Sequence, residues 1–460
     1  MIGLSTLSAT ALFNLSLPVA IFTSVGVSLQ GPAKPPVFSA AAGSTLFVWH
    51  AGGDPVWTWS GPSDLYVDTA RHVEPSPTPE EPKIDVFVAS LDSGVCTAFG
   101  FAGASATGVP AWTTPLPNCT QLAGEGIGGT YTALQAGDSG MAVALMGYGH
   151  DGDALTARAY LLDGQTGSLR WAYDLGVKEK AGQGDIAIGE RFVLFVNEDG
   201  PSGDPNAAHA HVLSVADGSL RAEVFMPFFI AAALSDSGDY LVMQNFTHLV
   251  GSEPWVLKYD GVSAYNLLHR LVLPPDGTEY DVRACERTFT RNESFSFPDT
   301  NPPPPPHTHT NFPFLQLWDI AMPPGGDSYV ALGWISAIPS ALLLRVNAYD
   351  LATGALLTDW HAPPNTQLQN NPTIRCDGEY IGLALWGSDG DAPTSVVLAA
   401  GRNTTLFSEV SPGSLFSVDI AVTERTAEGT SVVVATAGKH VPANVFGDGG
   451  DAYGWTFIDP

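Results

Sequence analysis

Apolar positions in this chain come in short, nearly unbroken runs, each introduced by a tight polar turn. Residues 141–146 (MAVALM), 240–243 (YLVM) and 380–386 (YIGLALW) are such runs, preceded by 137–140 (GDSG), 236–239 (DSGD) and 376–379 (CDGE). Continuous apolar runs of strand length predict strands buried on both faces. No long stretch places apolar residues at three-and-four spacing with charges between, so helices are not predicted.

A longer phrase recurs over this rhythm: apolar strand, Asp/Gly turn, strand. It is fullest at 159–171 (AYLLDGQTGSLRW), returns at 348–357 (AYDLATGALL) and is fainter at 212–221 (VLSVADGSLR). A strand-and-turn unit repeating over roughly fifty residues predicts an all-β propeller of four-stranded antiparallel blades. Unit ends fall near Trp59, Pro117, Gly176, Pro227, Pro274, Pro363 and Gly413, with a last unit over 414–458. That division favours eight blades, seven being the alternative. The last unit holds three strands, and residues 11–18 (ALFNLSLP) read as the missing fourth, so N- and C-terminal strands close the ring. The whole of 1–460 is then one domain. A proline-rich insertion at 276–311 and a charged loop at 74–82 interrupt it.

Composition fits this picture. Of 460 residues, 45% are hydrophobic and 14% charged, with 49 Gly and 36 Pro to serve many turns. The net charge of −28 argues against a nucleic-acid partner, since phosphate binding needs clustered Lys and Arg. No stretch has the unbroken apolar length of a membrane span. The first basic residue is Lys34 and polar residues interrupt the apolar run, so either the true start lies upstream or the N-terminal segment is propeller strand, the latter being the preferred reading. Four cysteines allow three pairings, of which Cys96–Cys119 with Cys285–Cys376 keeps each pair within one blade or between neighbours. N-x-Ser/Thr acceptors stand at Asn14, Asn118, Asn245, Asn292 and Asn403, against about two expected by chance. Disulfides and acceptors together point to the secretory pathway or the extracellular space.

The phrase Asp163-x-x-Thr166-Gly167-x-x-x-Trp171, with Asp350-x-x-Thr353-Gly354, resembles the repeat of the PQQ-like propellers. That superfamily holds quinoprotein alcohol dehydrogenases and non-enzymatic scaffold propellers. The resemblance implies that Trp171 docks against the neighbouring blade and that Thr-Gly makes the hairpin turn. At the Trp position the second copy has Thr358 and the third Ala222. Quinoprotein dehydrogenases often cover PQQ with a disulfide of adjacent cysteines, and this chain has no adjacent cysteines, so PQQ is not expected.

Candidate chemistry is sparse. Acidic glycine loops recur at one step of the repeat, carrying Asp151 and Asp153, then Asp199, then Asp389 and Asp391, then Asp448 and Asp451. On one propeller face these carboxylates would suit Ca2+, although Asp and Gly are also ordinary turn residues. His209-x-His211 and His307-x-His309 place both imidazoles of each pair on one side of a strand, where Zn2+ or Cu2+ is a candidate, without a third ligand in view. Residues 137–140 match the phrase around the nucleophile of trypsin-like proteases but lack its His and Asp context. Eleven Trp offer inter-blade packing or a stacking platform for sugars. The function read from these features is a secreted binding or scaffold module with a protein or glycan partner. The alternative is an enzyme with a central-channel site, either a divergent PQQ-type oxidoreductase or a hydrolase. Arg71, His72, Lys439 and His440 are the channel candidates. Oligomeric state is left open.

Overall fold

The computed structural model describes residues 7–18, 21–29, 35–51, 55–69, 84–105, 107–122, 135–137, 142–178, 184–198, 208–226, 232–235, 241–245, 267–268, 314–324, 328–338, 341–351, 353, 355–362, 373–385, 394–411, 415–423, 427, 429–439 and 449–460. The described strands fall into eight antiparallel sheets, arranged as blades of a β-propeller. Blade 1 orders Phe22–Ser28, Val37–Ala42, Thr45–His50 and Trp57–Ser60 side by side. Blade 2 repeats the meander with Tyr66–Thr69, Val86–Asp92, Val95–Phe101 and Trp112–Pro115. In blade 3 the first strand comes in two pieces, Gln121–Leu122 and Gln135–Gly137, beside Ala142–Asp151, Ala154–Asp163 and Leu169–Lys178. Blade 4 is Gly184–Ile188, Phe192–Glu198, Ala208–Ser214 and Leu220–Met226. Blade 5 has three described strands, Ala232–Leu234, Leu241–Asn245 and Leu267–Leu268. Blade 6 is Phe314–Ala321, Tyr329–Ile338, Ala341–Asp350 and Leu356–His361; blade 7 is Thr373–Asp377, Tyr380–Ala384, Ser395–Ala399 and Arg402–Glu409. Blade 8 is Leu415–Val422, Thr430–Lys439 and Gly450–Asp459, with the N-terminal Thr10–Leu17 as its outermost strand.

That last pairing runs from Thr10 opposite Thr456 to Leu17 opposite Gly450. Phe13 anchors it, stacking on Trp49 of blade 1 at 5.1 Å and meeting Phe38 edge-on at 4.7 Å. First strands of successive blades touch in chain order, and Leu415–Val422 returns to Phe22–Ser28.

The hydrophobic cores lie between blades. One cluster joins Phe87, Cys96 and Trp112 of blade 2 to Val143, Tyr160 and Leu162 of blade 3. Another joins Tyr380 and Phe407 of blade 7 to Ile420, Val432 and Trp455 of blade 8. A second strand such as Val37–Ala42 is therefore covered on both faces, which is why its run is continuously apolar.

The repeat phrase builds a seat for the preceding blade. Asp163 Oδ1 accepts the backbone N–H groups of Gln165 and Thr166 and the Thr166 hydroxyl, and Gly167 N–H donates to Asp163 O. Gly167 takes φ +70 and closes the hairpin loop of residues 164–167, across which Asp163 N–H donates to Ser168 O. The Trp112 indole N–H donates to Gly164 O at 2.9 Å, and its ring lies where a Gly167 Cβ would be. Trp171 does the same one blade on, donating to Val215 O at 3.0 Å and lying over Gly218. In blade 6, Thr353 N–H and hydroxyl donate to Asp350 Oδ1; Gly354 lies outside the described residues. There Thr358 stands in for the Trp, donating to Ala399 O and accepting Gly401 N–H. Trp171 is half-buried where it docks on the neighbouring blade.

Cys96 and Cys119 form a disulfide, with Cα atoms 5.3 Å apart. It ties the crossover into blade 3 to the third strand of blade 2. Gly147 leaves room for it, since a Cβ there would collide with Cys119 Sγ. Replacing both cysteines by Ala should lower stability by about 2–4 kcal/mol, read from urea unfolding; an unchanged midpoint would contradict a stabilising role. The second predicted disulfide is not formed at Cys376, which stands as a buried thiol among Ile374, Ile381 and Leu383; Cys285 lies outside the described residues.

Candidate functional site

A first strand has one edge without a strand neighbour, and its N–H groups need acceptors. Carboxylates of the preceding blade supply them. Asp319 Oδ2 accepts Ile374 N–H at 2.7 Å across the junction of blades 6 and 7, while its Oδ1 accepts Ile320 N–H. Asp377 accepts Val422 N–H at 2.7 Å between blades 7 and 8. Asp419 accepts Val27 N–H at 2.7 Å between blades 8 and 1, and Ser417 Oγ accepts Val25 N–H beside it. From blade 1 to blade 2 the acceptor is Ser24 Oγ, for Val67 N–H. Burial pushes the Asp319 carboxyl up, with Arg375 nearby opposing it. Inner carboxylates thus act as blade couplers. For two of the three couplers the signal was present in the sequence as a repeated Asp-Ile-Ala, at Asp319-Ile320-Ala321 and Asp419-Ile420-Ala421, and the repeat reading missed it.

The predicted site residues scatter. Arg71, His72 and His440 lie outside the described residues; Lys439 is half-buried at the end of its strand, opposite Gly450. Asp151 and Asp153 are exposed on either side of Gly152, at the turn between second and third strands of blade 3. Asp389, Asp391 and Asp448, with Asp199, lie outside the described residues. Asp451 is not a surface ligand. It is buried in the third strand of blade 8 between Gly438 and Ser16, and it accepts the Tyr453 hydroxyl. Central position in the sheet is what buries it. Asn14, Asn118 and Asn403 are exposed; Asn245 ends a strand of blade 5, and Asn292 lies outside the described residues, as do 276–311, 74–82 and His307-x-His309.

One predicted pair is joined by a third group. His209 and His211 alternate on Ala208–Ser214, and the register puts Glu223 of the outermost strand opposite His211. His211 Nε2 is 3.1 Å from Glu223 Oε1. Burial, then Lys178 and His209, pushes the His211 imidazole down to about 3, so it is neutral at pH 7 and Nε2–H donates to the carboxylate. Lys178 arrives through a bulge. The strand Leu169–Lys178 shifts register between Asp174 and Gly176, where Gly176 takes φ +93. Beyond it Val177 points out, 70% exposed, and Lys178 points in, 7% exposed, with Nζ 3.3 Å from His209 Nδ1. Glu223 stands 12 residues from His211, so only the strand register could have found it.

No protein-family model and no curated protein matches the chain. Among solved structures it is similar to BamB from Moraxella catarrhalis, at 13% identity over 98% of both chains with a TM-score of 0.42. It is also similar to Chaetomium thermophilum Sqt1 bound to the N-terminus of ribosomal protein L10, at 11% identity, 98% of this chain, 100% of that chain and a TM-score of 0.46. A subtype N11 neuraminidase-like protein of A/flat-faced bat/Peru/033/2010 gives 8% identity, 99% and 96% coverage and a TM-score of 0.38. The fold itself rests on the strand order above. Among the described residues no helix is long and apolar enough to cross a membrane.

Proposed function

We propose that this chain is a binding and scaffold module of PQQ-like type, working in the secretory pathway or outside the cell, with a protein partner. The observation that carries the reading is a repeated apolar rim. Leu169, Leu220 and Leu356 each open the outermost strand of their blade, directly after the hairpin turn, and are 40, 41 and 47% exposed. Matching positions in three blades repeat one exposed apolar side chain around the ring, and we take that repetition as the place where a partner docks. The seat for the preceding blade's Trp supports the PQQ-like type, and the Cys96–Cys119 disulfide supports an oxidising compartment. The test is Leu169→Asp with Leu220→Asp and Leu356→Asp. The variant should keep its melting temperature and lose a partner that the unaltered chain retains from culture medium. Retention of that partner by the variant would remove the rim from the reading.

A further inference from the structure

We propose that His209, His211 and Glu223 bind Zn2+ on the flank of blade 4, with a water as the fourth ligand. One ligand atom from each of the three lies within 4.8 Å of the others. Ligands held about 2.0–2.1 Å from a tetrahedral ion are roughly 3.3 Å from one another. His211 Nε2 and Glu223 Oε1, at 3.1 Å, already have that spacing. The two imidazoles project from the same side of one strand, their ring centroids 6.1 Å apart. Two imidazoles and a carboxylate are a set that Zn2+ accepts while keeping a position open. Glu223 is exposed, so the open position faces solvent.

A second observation concerns cost. His211 is 3% exposed, and burying an imidazole costs free energy that an apolar side chain of similar size would not. Toward the ring's other rim the same face of the strand carries Leu213, packed with Leu175 and Trp171. The change from leucine to two histidines therefore happens within one continuous face.

Lys178 stands at the edge of this cluster and contacts His209 Nδ1. It is a resident cation beside the two imidazoles, and it competes with a metal for the His209 lone pair and the same field. This makes an expectation that a mere polar cluster would not share. Lys178→Met should tighten Zn2+ binding by about tenfold or more.

The experiment is calorimetric titration of the metal-stripped full chain with ZnCl2, repeated with Co2+ to read the intense visible bands of a tetrahedral site. One Zn2+ per chain is expected. Glu223 is itself exposed, so Glu223→Gln is expected to keep the fold and tests the site directly; it and His209→Gln should each weaken binding at least tenfold. His307→Ala with His309→Ala should leave binding unchanged. No stoichiometric binding by the unaltered chain overturns the proposal. Binding indifferent to Glu223→Gln and His209→Gln, or abolished by the His307/His309 change, overturns it equally.

Discussion

Trp112→Ala lowers unfolding free energy by about 3–5 kcal/mol, and Trp171→Ala by about half of that. Both indoles sit in the same kind of seat, so the difference comes from cover. Trp112 is 9% exposed, packs against Phe87 at 6.2 Å and presses on Gly100 and Gly167, while Trp171 is half-buried, with Phe195 edge-on at 6.3 Å. Truncating Trp112 removes apolar area, opens a cavity between blades 2 and 3 and leaves Gly164 O without its donor. Truncating Trp171 removes area that is already partly wet. Urea unfolding of the two variants checks the ranking, and equal losses would contradict it. Gly167→Ala gives an independent reading of the seat. In the unaltered chain it meets the Trp112 ring, the Thr114 hydroxyl and the positive φ; in the Trp112→Ala background the clash with the ring is gone, and the Thr114 contact and the backbone strain remain. The two substitutions should therefore cost less together than the sum of their separate costs.

Blade content was legible where a local geometry demands particular residues. This tight hairpin loop uses a side-chain acceptor and a residue at positive φ, so Asp163 and Gly167 announce the turn within five positions. The Trp that follows announces a neighbour, because nothing within its own blade needs an indole there. The fourth strand of blade 8 was legible by subtraction: the last unit lacked one strand and residues 11–18 had its pattern. The site was less legible, for two physical reasons. Cross-strand partners such as His211 and Glu223 depend on register, and the one-residue slip between Val212 and Leu213 decides that Glu223 and not Ala222 lies opposite His211. The inner carboxylates depend on closure. Asp419 and its partner Val27 are 392 residues apart, and three letters, Asp-Ile-Ala, are too short a phrase to be noticed across such gaps. Asp451 failed differently, since a carboxylate next to a glycine turn reads as exposed until the strand continues through it.

Asp419→Ala loosens the ring where the chain ends meet, with a loss of about 3 kcal/mol. Asp419 is 4% exposed; its Oδ2 accepts Val27 N–H at 2.7 Å, and its Oδ1 accepts Ile420 N–H at 3.0 Å. A buried carboxylate gives back part of its own desolvation cost when it is deleted. The two N–H groups it leaves behind each cost about 1–3 kcal/mol, and the cost of the stranded donors is the larger. Asp419→Asn keeps an acceptor oxygen for one of them, so its loss should be smaller, about 1–2 kcal/mol. The same substitution elsewhere on a strand would weaken one sheet. Here it weakens a junction, because blade 8 is completed by Thr10–Leu17 and the chain then enters blade 1 at Phe22. Hydrogen exchange reads the difference directly. In Asp419→Ala the Val27 amide should exchange much faster, followed by the amides of Phe22–Ser28, whereas the third strand of blade 4 keeps its protection. Uniform acceleration around the ring would mean that Asp419 contributes only to global stability. Unchanged exchange at Val27 would mean that the carboxylate is not what couples the last blade to the first.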